Sequence, residues 1–157
     1  MKLLITTIAA GAAVDATAAL PATGQQAAPT RTLSLTSITA KGSERAIDTP
    51  PKGDSVGDAF VFASTLRRGS AMTGRMAGHC VAIDLKYQGI QCTLTAVLTD
   101  GTITLQGASL GKRLPGAQGP AEDVYSITGG TRKYVGGTGT MRRSGNGKVD
   151  TDVFTLG

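Results

Sequence analysis

The sequence predicts an all-β domain, either a sandwich or a closed barrel, built from about eight short antiparallel segments. Three observations point that way. Twenty-two of the 157 residues are glycine, and Thr and Ser are plentiful, a composition suited to many turns. No stretch carries a helical apolar stripe. Segments with period-two patterning recur at short spacing between turn signals. With aromatics at 4% and no Trp, the core has to be made from Val, Ile, Leu and Ala.

The elements follow in order. Residues 1–18, "MKLLITTIAAGAAVDATA", resemble an export signal, with Lys2, an apolar run from Leu3 to Val14, and small residues at Ala16 and Ala18. Asp15 interrupts the pattern, and a disordered leader is the alternative. The run is too short to span a bilayer comfortably. Residues 19–30 read as a linker and 31–157 as the domain. An oxidising, secreted location is expected, or a cytoplasmic one if the leader is not a signal.

"RTLSLTSITA" (31–40) alternates as a strand, and 41–57 reads as a Pro/Gly/Asp loop. "AFVFASTLRR" (59–68) is β-rich, and alternation puts Phe60, Phe62 and Ser64 on one face. Residues 69–78 are punctuated by glycine. "HCVAIDLKY" (79–87) and "QCTLTAVL" (91–98) flank a turn, and "TDG" (99–101) marks a hairpin before "TITLQG" (102–107). Residues 108–122 read as a long loop. "DVYSIT" (123–128) is a short strand or a helical turn, and "TGTMRR" (138–143) and "KVDTDVFTL" (148–156) are the last strands.

Cys80 and Cys92 are symmetric about the turn at residue 86. Cross-strand partners in a hairpin stand close to disulfide reach. A Cys80–Cys92 bridge is expected, with a reduced core pair as the alternative. Two parities are open for 79–87. One turns Cys80, Ala82 and Asp84 inward. The other turns Val81, Ile83 and Leu85 inward, and is the better hydrophobic choice.

The glycine-rich "SITGGTRKYVGGTGTMRRSG" (126–145) is not a phosphate loop. The nearest Walker-like match, "GNGKV", places Val149 where Ser or Thr would hold magnesium. A dinucleotide fingerprint would need a following helix, and β-like residues follow. The glycines read as tight corners. The net charge of +5 is spread as Arg67–Arg68, Lys112–Arg113, Arg132–Lys133 and Arg142–Arg143. This reads as solvated strand ends, so no nucleic-acid partner is expected. The lone His79 does not suggest a Ser-His-Asp relay. No metal is expected from one His, two bridged Cys and scattered acids. Asp150 and Asp152 read as one exposed strand face.

Four ordered motifs then resemble the allene oxide cyclase and dirigent-like barrels: "VGDAFVFASTLRRG" (56–69), "GHCVAIDL" (78–85), "LTDGTITLQG" (98–107) and "YSITGGTRKYVGGTGTMRR" (125–143). The likeness covers about residues 31–157. It departs at Arg132, where the family pattern has Gly. It implies an eight-stranded antiparallel β-barrel (calycin-like) with an apolar cavity, assembled as a homodimer or homotrimer; no membrane partner is expected after export, since no later segment is apolar enough to cross a bilayer. It also implies cofactor-independent steering of ring closure in an apolar reactive or polyunsaturated small molecule. The alternative is a secreted, non-catalytic dirigent-like binding or stress protein. By resemblance Ser64 stands where the plant cyclases hold a water with Asn, Ile127 points into the barrel, and Cys80 faces inward. Asp84 would then be an interior carboxylate, costly unless used or paired. Ser64 and Asp84 are the catalytic candidates. Phe60, Phe62, Cys80 and Tyr125 are the substrate-binding candidates.

Overall fold

The computed structural model describes residues 30–111 and 122–157. The predicted leader, and all but the last residue of the predicted linker, lie outside them. Eight strands form: β1 (Arg31–Ile47), β2 (Ala59–Arg68), β3 (Ala71–Asp84), β4 (Gly89–Leu98), β5 (Gly101–Leu110), β6 (Asp123–Gly130), β7 (Gly139–Gly145) and β8 (Val149–Leu156), with one short 3-10 turn at Arg132–Tyr134. Each strand pairs antiparallel with the next in sequence, and β8 returns to pair with β1. The ring closes as an up-and-down barrel, which decides between sandwich and barrel and leaves no free sheet edge.

Three strands extend beyond the segments that the sequence pattern suggests. β1 continues to Ile47 across a register shift between Thr39 and Glu44, where Gly42 takes φ +82° and absorbs the bend. β3 begins at Ala71, inside the glycine-punctuated stretch. A Cβ at Gly78 would meet Leu94 Cδ2 at 2.5 Å and the Thr93 carbonyl at 2.7 Å. The glycine is thus a close-packing site within the strand and does not break it. β5 runs to Leu110, and residues 112–121 of the expected long loop lie outside the described ones. Residues 123–128 are strand, not helix.

The hydrophobic choice of parity in β3 is overturned. Cys80 is buried, whereas Ile83 is 44% and Leu85 46% exposed. An eight-stranded barrel has an interior just wide enough for side chains to fill. The inner face of β3 therefore takes small or slender residues, Gly78, Cys80 and Met76, and the branched ones stand outside. A register shift between Ala82 and Asp84 ends the alternation before it carries Asp84 into the cavity. In β2 the face bearing Phe60, Phe62 and Ser64 does turn inward, with Leu66 completing it.

Leu35, Leu66, Met76, Leu94, Ile103, Leu105, Met141 and Phe154 are buried inside the barrel and form its core. Ile127 also points in, at 6% exposure. Tyr134, on the 3-10 turn, plugs the end where β1 starts. Its hydroxyl donates to Asp100 Oδ1 at 2.8 Å, and Lys133 Nζ lies 2.6 Å from Asp100 Oδ2. The Lys133 hydrogen bond holds the Asp100 carboxyl below its ordinary range. The glycine-rich stretch forms the corner around this plug, with Gly136 at φ +70°. Arg132 also takes a left-handed φ of +53°, which accounts for the glycine in the family pattern. At the other end the β1–β2 loop is pinned by Asp58, whose carboxylate accepts from the N–H and hydroxyl of both Thr49 and Ser55 at 2.8–2.9 Å. These bonds, the backbone ones first, lower its pKa to about 2.

Cys80 and Cys92 stand directly opposite in the β3–β4 ladder, with Cα atoms 4.0 Å apart, and are joined as a disulfide. The bridge is compatible with an oxidising compartment.

Candidate functional site

The end of the barrel opposite Tyr134 is open. A cavity of about 260 Å3 enters there between the last turns of β1, β3 and β7 and the first turns of β2, β4, β6 and β8. One wall is apolar: Phe60, Phe62, Ile90 and the Cys80–Cys92 bridge. The two Phe rings lie 6.1 Å apart, tilted by 32°. The other wall is polar: Thr39, Tyr125, Arg143 and Asp150, with Glu44 and Asp123 nearer the rim. Three clefts, of about 310, 310 and 340 Å3, are larger. They lie at the barrel floor and along its outer rim, and none is lined by a buried charged group.

Arg143 anchors the polar wall. It sits opposite Asp152 in the β7–β8 ladder. Its Nε donates to Asp152 Oδ1 at 2.7 Å and its Nη2 to Oδ2 at 3.0 Å, a two-point pair with good geometry. The guanidinium also lies 5.8 Å from the Phe62 ring centre and 3.7 Å from Met76 Sδ. Asp152 is fully buried and Asp150 is 6% exposed. Burial pushes the Asp152 carboxyl up, against the pull of Arg143. Burial also disfavours the Arg143 charge, but the Asp152 carboxylate more than compensates and raises its pKa. The reading of Asp150 and Asp152 as an exposed face is therefore wrong. Asp150 and Asp152 share the inward parity of Phe154 and Leu156, and Arg143 supplies the partner that makes burial affordable.

Asp150 is held differently. Its Oδ1 accepts the Gly147 N–H at 2.8 Å, and its Oδ2 lies 4.0 Å from Arg143 Nε, beyond hydrogen-bond distance. One carboxylate oxygen thus remains available to the cavity. Across β1, Ser37 faces Asp150 in the ladder, buried, with its hydroxyl unpartnered among the described residues. Tyr125 is 4% exposed, lines the same cavity, and makes no side-chain hydrogen bond among the described residues. Burial, then the Asp123 charge, pushes its phenol up to about 12. At neutral pH Tyr125 is a proton-bearing donor.

Of the sequence-predicted site residues, Phe60, Phe62, Cys80 and Tyr125 come together around this cavity. Ser64 does not line it. It lies beneath Thr39, whose hydroxyl is 2.8 Å from Ser64 Oγ. Asp84 also lies apart. Its carboxylate accepts the Tyr87 N–H at 2.9 Å and borders an outer cleft with Ser55, Asp58 and Ile90. His79 is exposed on the outer surface. Arg143, Asp150, Asp123 and Glu44 were not expected. The one available signal was parity with Phe154, and it becomes decisive only once Arg143 is known to lie across the ladder.

No family model matches this chain, and no curated protein matches it in sequence. Solved structures do match in shape. A pyocyanin demethylase superposes with a TM-score of 0.67 at 22% identity, covering 81% of this chain and all of that one. A pterocarpan synthase dirigent protein superposes with a TM-score of 0.60 at 15% identity, covering 83% of this chain and 87% of that one. At these identities the likeness establishes the fold alone: the chain is an eight-stranded antiparallel barrel, similar in shape to both proteins.

Proposed function

We propose that the protein binds a small, mainly apolar molecule in the barrel mouth and steers its ring closure by proton transfer, without a cofactor. The supporting observation is the pairing of a donor, Tyr125, with an available acceptor oxygen on Asp150, in one cavity whose facing wall is Phe60, Phe62 and the disulfide. The names of the two structural neighbours each refer to a small molecule, pyocyanin in one and a pterocarpan in the other. That fits a barrel whose cavity is its working part.

The chemistry suits an isomerising cyclisation. Tyr125 donates its O–H to the carbonyl of a conjugated substrate, stabilising charge that develops on that oxygen. Asp150 takes the proton from a pendant hydroxyl as its oxygen bonds to the β-carbon. The alkene electron pair shifts toward the carbonyl, and the proton then returns from Asp150 to the α-carbon. Product and substrate are isomers, so no oxidant is consumed. The apolar wall selects the folded conformer and lowers the entropic part of the barrier. In this scheme Ser64 acts through Thr39, fixing the hydroxyl that borders the site. Asp84 orders the turn beside the mouth. The disulfide and the leader sequence favour work outside the cytoplasm.

The test has two stages. A neutral fluorescent aminoanthracene should saturate one site per chain, and Ile90→Trp, which fills the mouth, should abolish binding. Failure of that stage removes the binding site. A chalcone with a phenol ortho to its carbonyl then reports steering. The protein should raise the closure rate and give an enantiomeric excess. Asp150→Asn and Tyr125→Phe should each lower the rate by about 10²-fold or more. Binding with racemic, unaccelerated closure would favour the non-catalytic binding protein.

A further inference from the structure

We infer that the molecule this cavity takes is a planar organic cation. The inference rests on the cavity being the binding site and names the class of its ligand. Three carboxylates line the cavity, Glu44, Asp123 and Asp150, and one cation, Arg143. The Arg143 charge is already matched by Asp152, which grips it at 2.7 and 3.0 Å from below. Counting Glu44, Asp123 and Asp150 at −1 each, and the Arg143–Asp152 pair at zero, leaves −3 at the mouth among the described residues. The whole chain, by contrast, carries a formal +5.

The form of the site sets the form of the charge. Among the described residues no three His, Cys, Asp or Glu side chains converge closely enough to hold a metal ion. The carboxylates are instead spread around an opening that faces two aromatic rings. A delocalised cation on a flat ring system meets both features. Its face lies on Phe60, which attracts cations through its quadrupole, beside Phe62, whose ring the Arg143 guanidinium already covers, and its charge is answered by carboxylates at the edge. A neutral ligand of the same shape gains the apolar wall but leaves the carboxylates unanswered, so it binds more weakly than the cation. An anion would add repulsion. The Tyr125 side chain is buried, and its hydroxyl, with no side-chain hydrogen bond among the described residues, serves a ring substituent with an acceptor oxygen.

The test compares three tricyclic probes of one shape, N-methylacridinium, acridine and acridine-9-carboxylate, titrated into the full chain at mildly alkaline pH, where acridine is neutral. N-methylacridinium should bind at least about tenfold more tightly than acridine, the scale expected for an ion among carboxylates at intermediate dielectric. The carboxylate should bind weakest, and added salt should narrow the gap. Glu44→Gln, at an exposed position that tolerates neutralisation, should lower the cation-to-acridine affinity ratio severalfold. Asp150→Asn should lower it further while its amide oxygen still accepts the Gly147 N–H. Equal affinity for the cation and for acridine overturns this inference and leaves the binding site standing. Failure of all three probes to bind overturns the binding site itself.

Discussion

Replacing Arg143 by Met keeps most of the apolar stem and removes the charge. Two hydrogen bonds, at 2.7 and 3.0 Å, are lost from Asp152, which is fully buried and has Asp150 beside it as a like charge. Stranding one member of a buried pair costs about 3–5 kcal/mol. The nearby second carboxylate places the expected loss near the middle, at about 4 kcal/mol, a large share of the roughly 5–15 kcal/mol that stabilises a domain. Removing both partners, with Arg143→Met and Asp152→Leu together, should recover most of the loss, because the fully buried carboxylate goes with its partner and only Asp150, at the cavity, still misses Arg143. Urea unfolding followed by far-ultraviolet circular dichroism measures both, since the chain has no Trp to report by fluorescence. The pH dependence supplies a sign. With Arg143 gone, the folded-state pKa of Asp152 stands further above its unfolded value. The folded state then holds a proton that the unfolded state releases, and the deficit shrinks as the pH falls toward about 4. A single variant as stable as the parent, or a double variant as unstable as the single, would refute this account of the buried pair.

Three further outcomes are expected. Reducing the Cys80–Cys92 bridge, or replacing both residues by Ala, should lower stability by about 3 kcal/mol, the scale for a short closed loop, as read by urea midpoints with and without reductant. Tyr125 has its pKa raised to about 12. Its neutral form therefore adds stability that is whole below about pH 10 and is lost as the pH rises through about 12, about 2 kcal/mol in all. Tyrosinate absorbance should lose its latest-titrating component in Tyr125→Phe, and persistence of that component would misplace the buried phenol. Arg132→Gly, at φ +53°, should raise stability by about 1 kcal/mol by relieving a left-handed residue, measured as an upward shift of the thermal midpoint; a fall would mean that the Arg132 side chain makes contacts worth more than the backbone relief.

The strands were legible because alternation is a local property, and most segments carry it within themselves. The disulfide was legible for a related reason: two cysteines placed evenly about a turn face each other in any hairpin of that register. What resisted reading was which face looks inward. In β3 the branched residues Val81 and Ile83 suggest a core, but the curvature of a small closed ring gives the inside to Gly78 and Cys80. In β8 the aspartates at 150 and 152 look solvent-bound when the strand is read alone. Their burial depends on Arg143, a residue of a different strand, aligned by a ladder that the sequence does not display. The apolar half of the cavity could thus be named in advance, as Phe60, Phe62 and Cys80, with Tyr125 alone from the polar wall. The charged half could not, because complementarity between strands is a property of register.

Arg31 and Leu156 are partners in the seam that closes the barrel, at the Tyr134 end. Both ends of the domain therefore leave from its floor, a full strand length from the cavity mouth. A tag, tether or surface coupling joined directly at Arg31 or at Gly157 should leave the cavity mouth facing free solution. A chain could also be joined end to end across this seam and opened at the exposed Lys52–Gly53 turn, giving a rearranged order of strands around an unchanged ring.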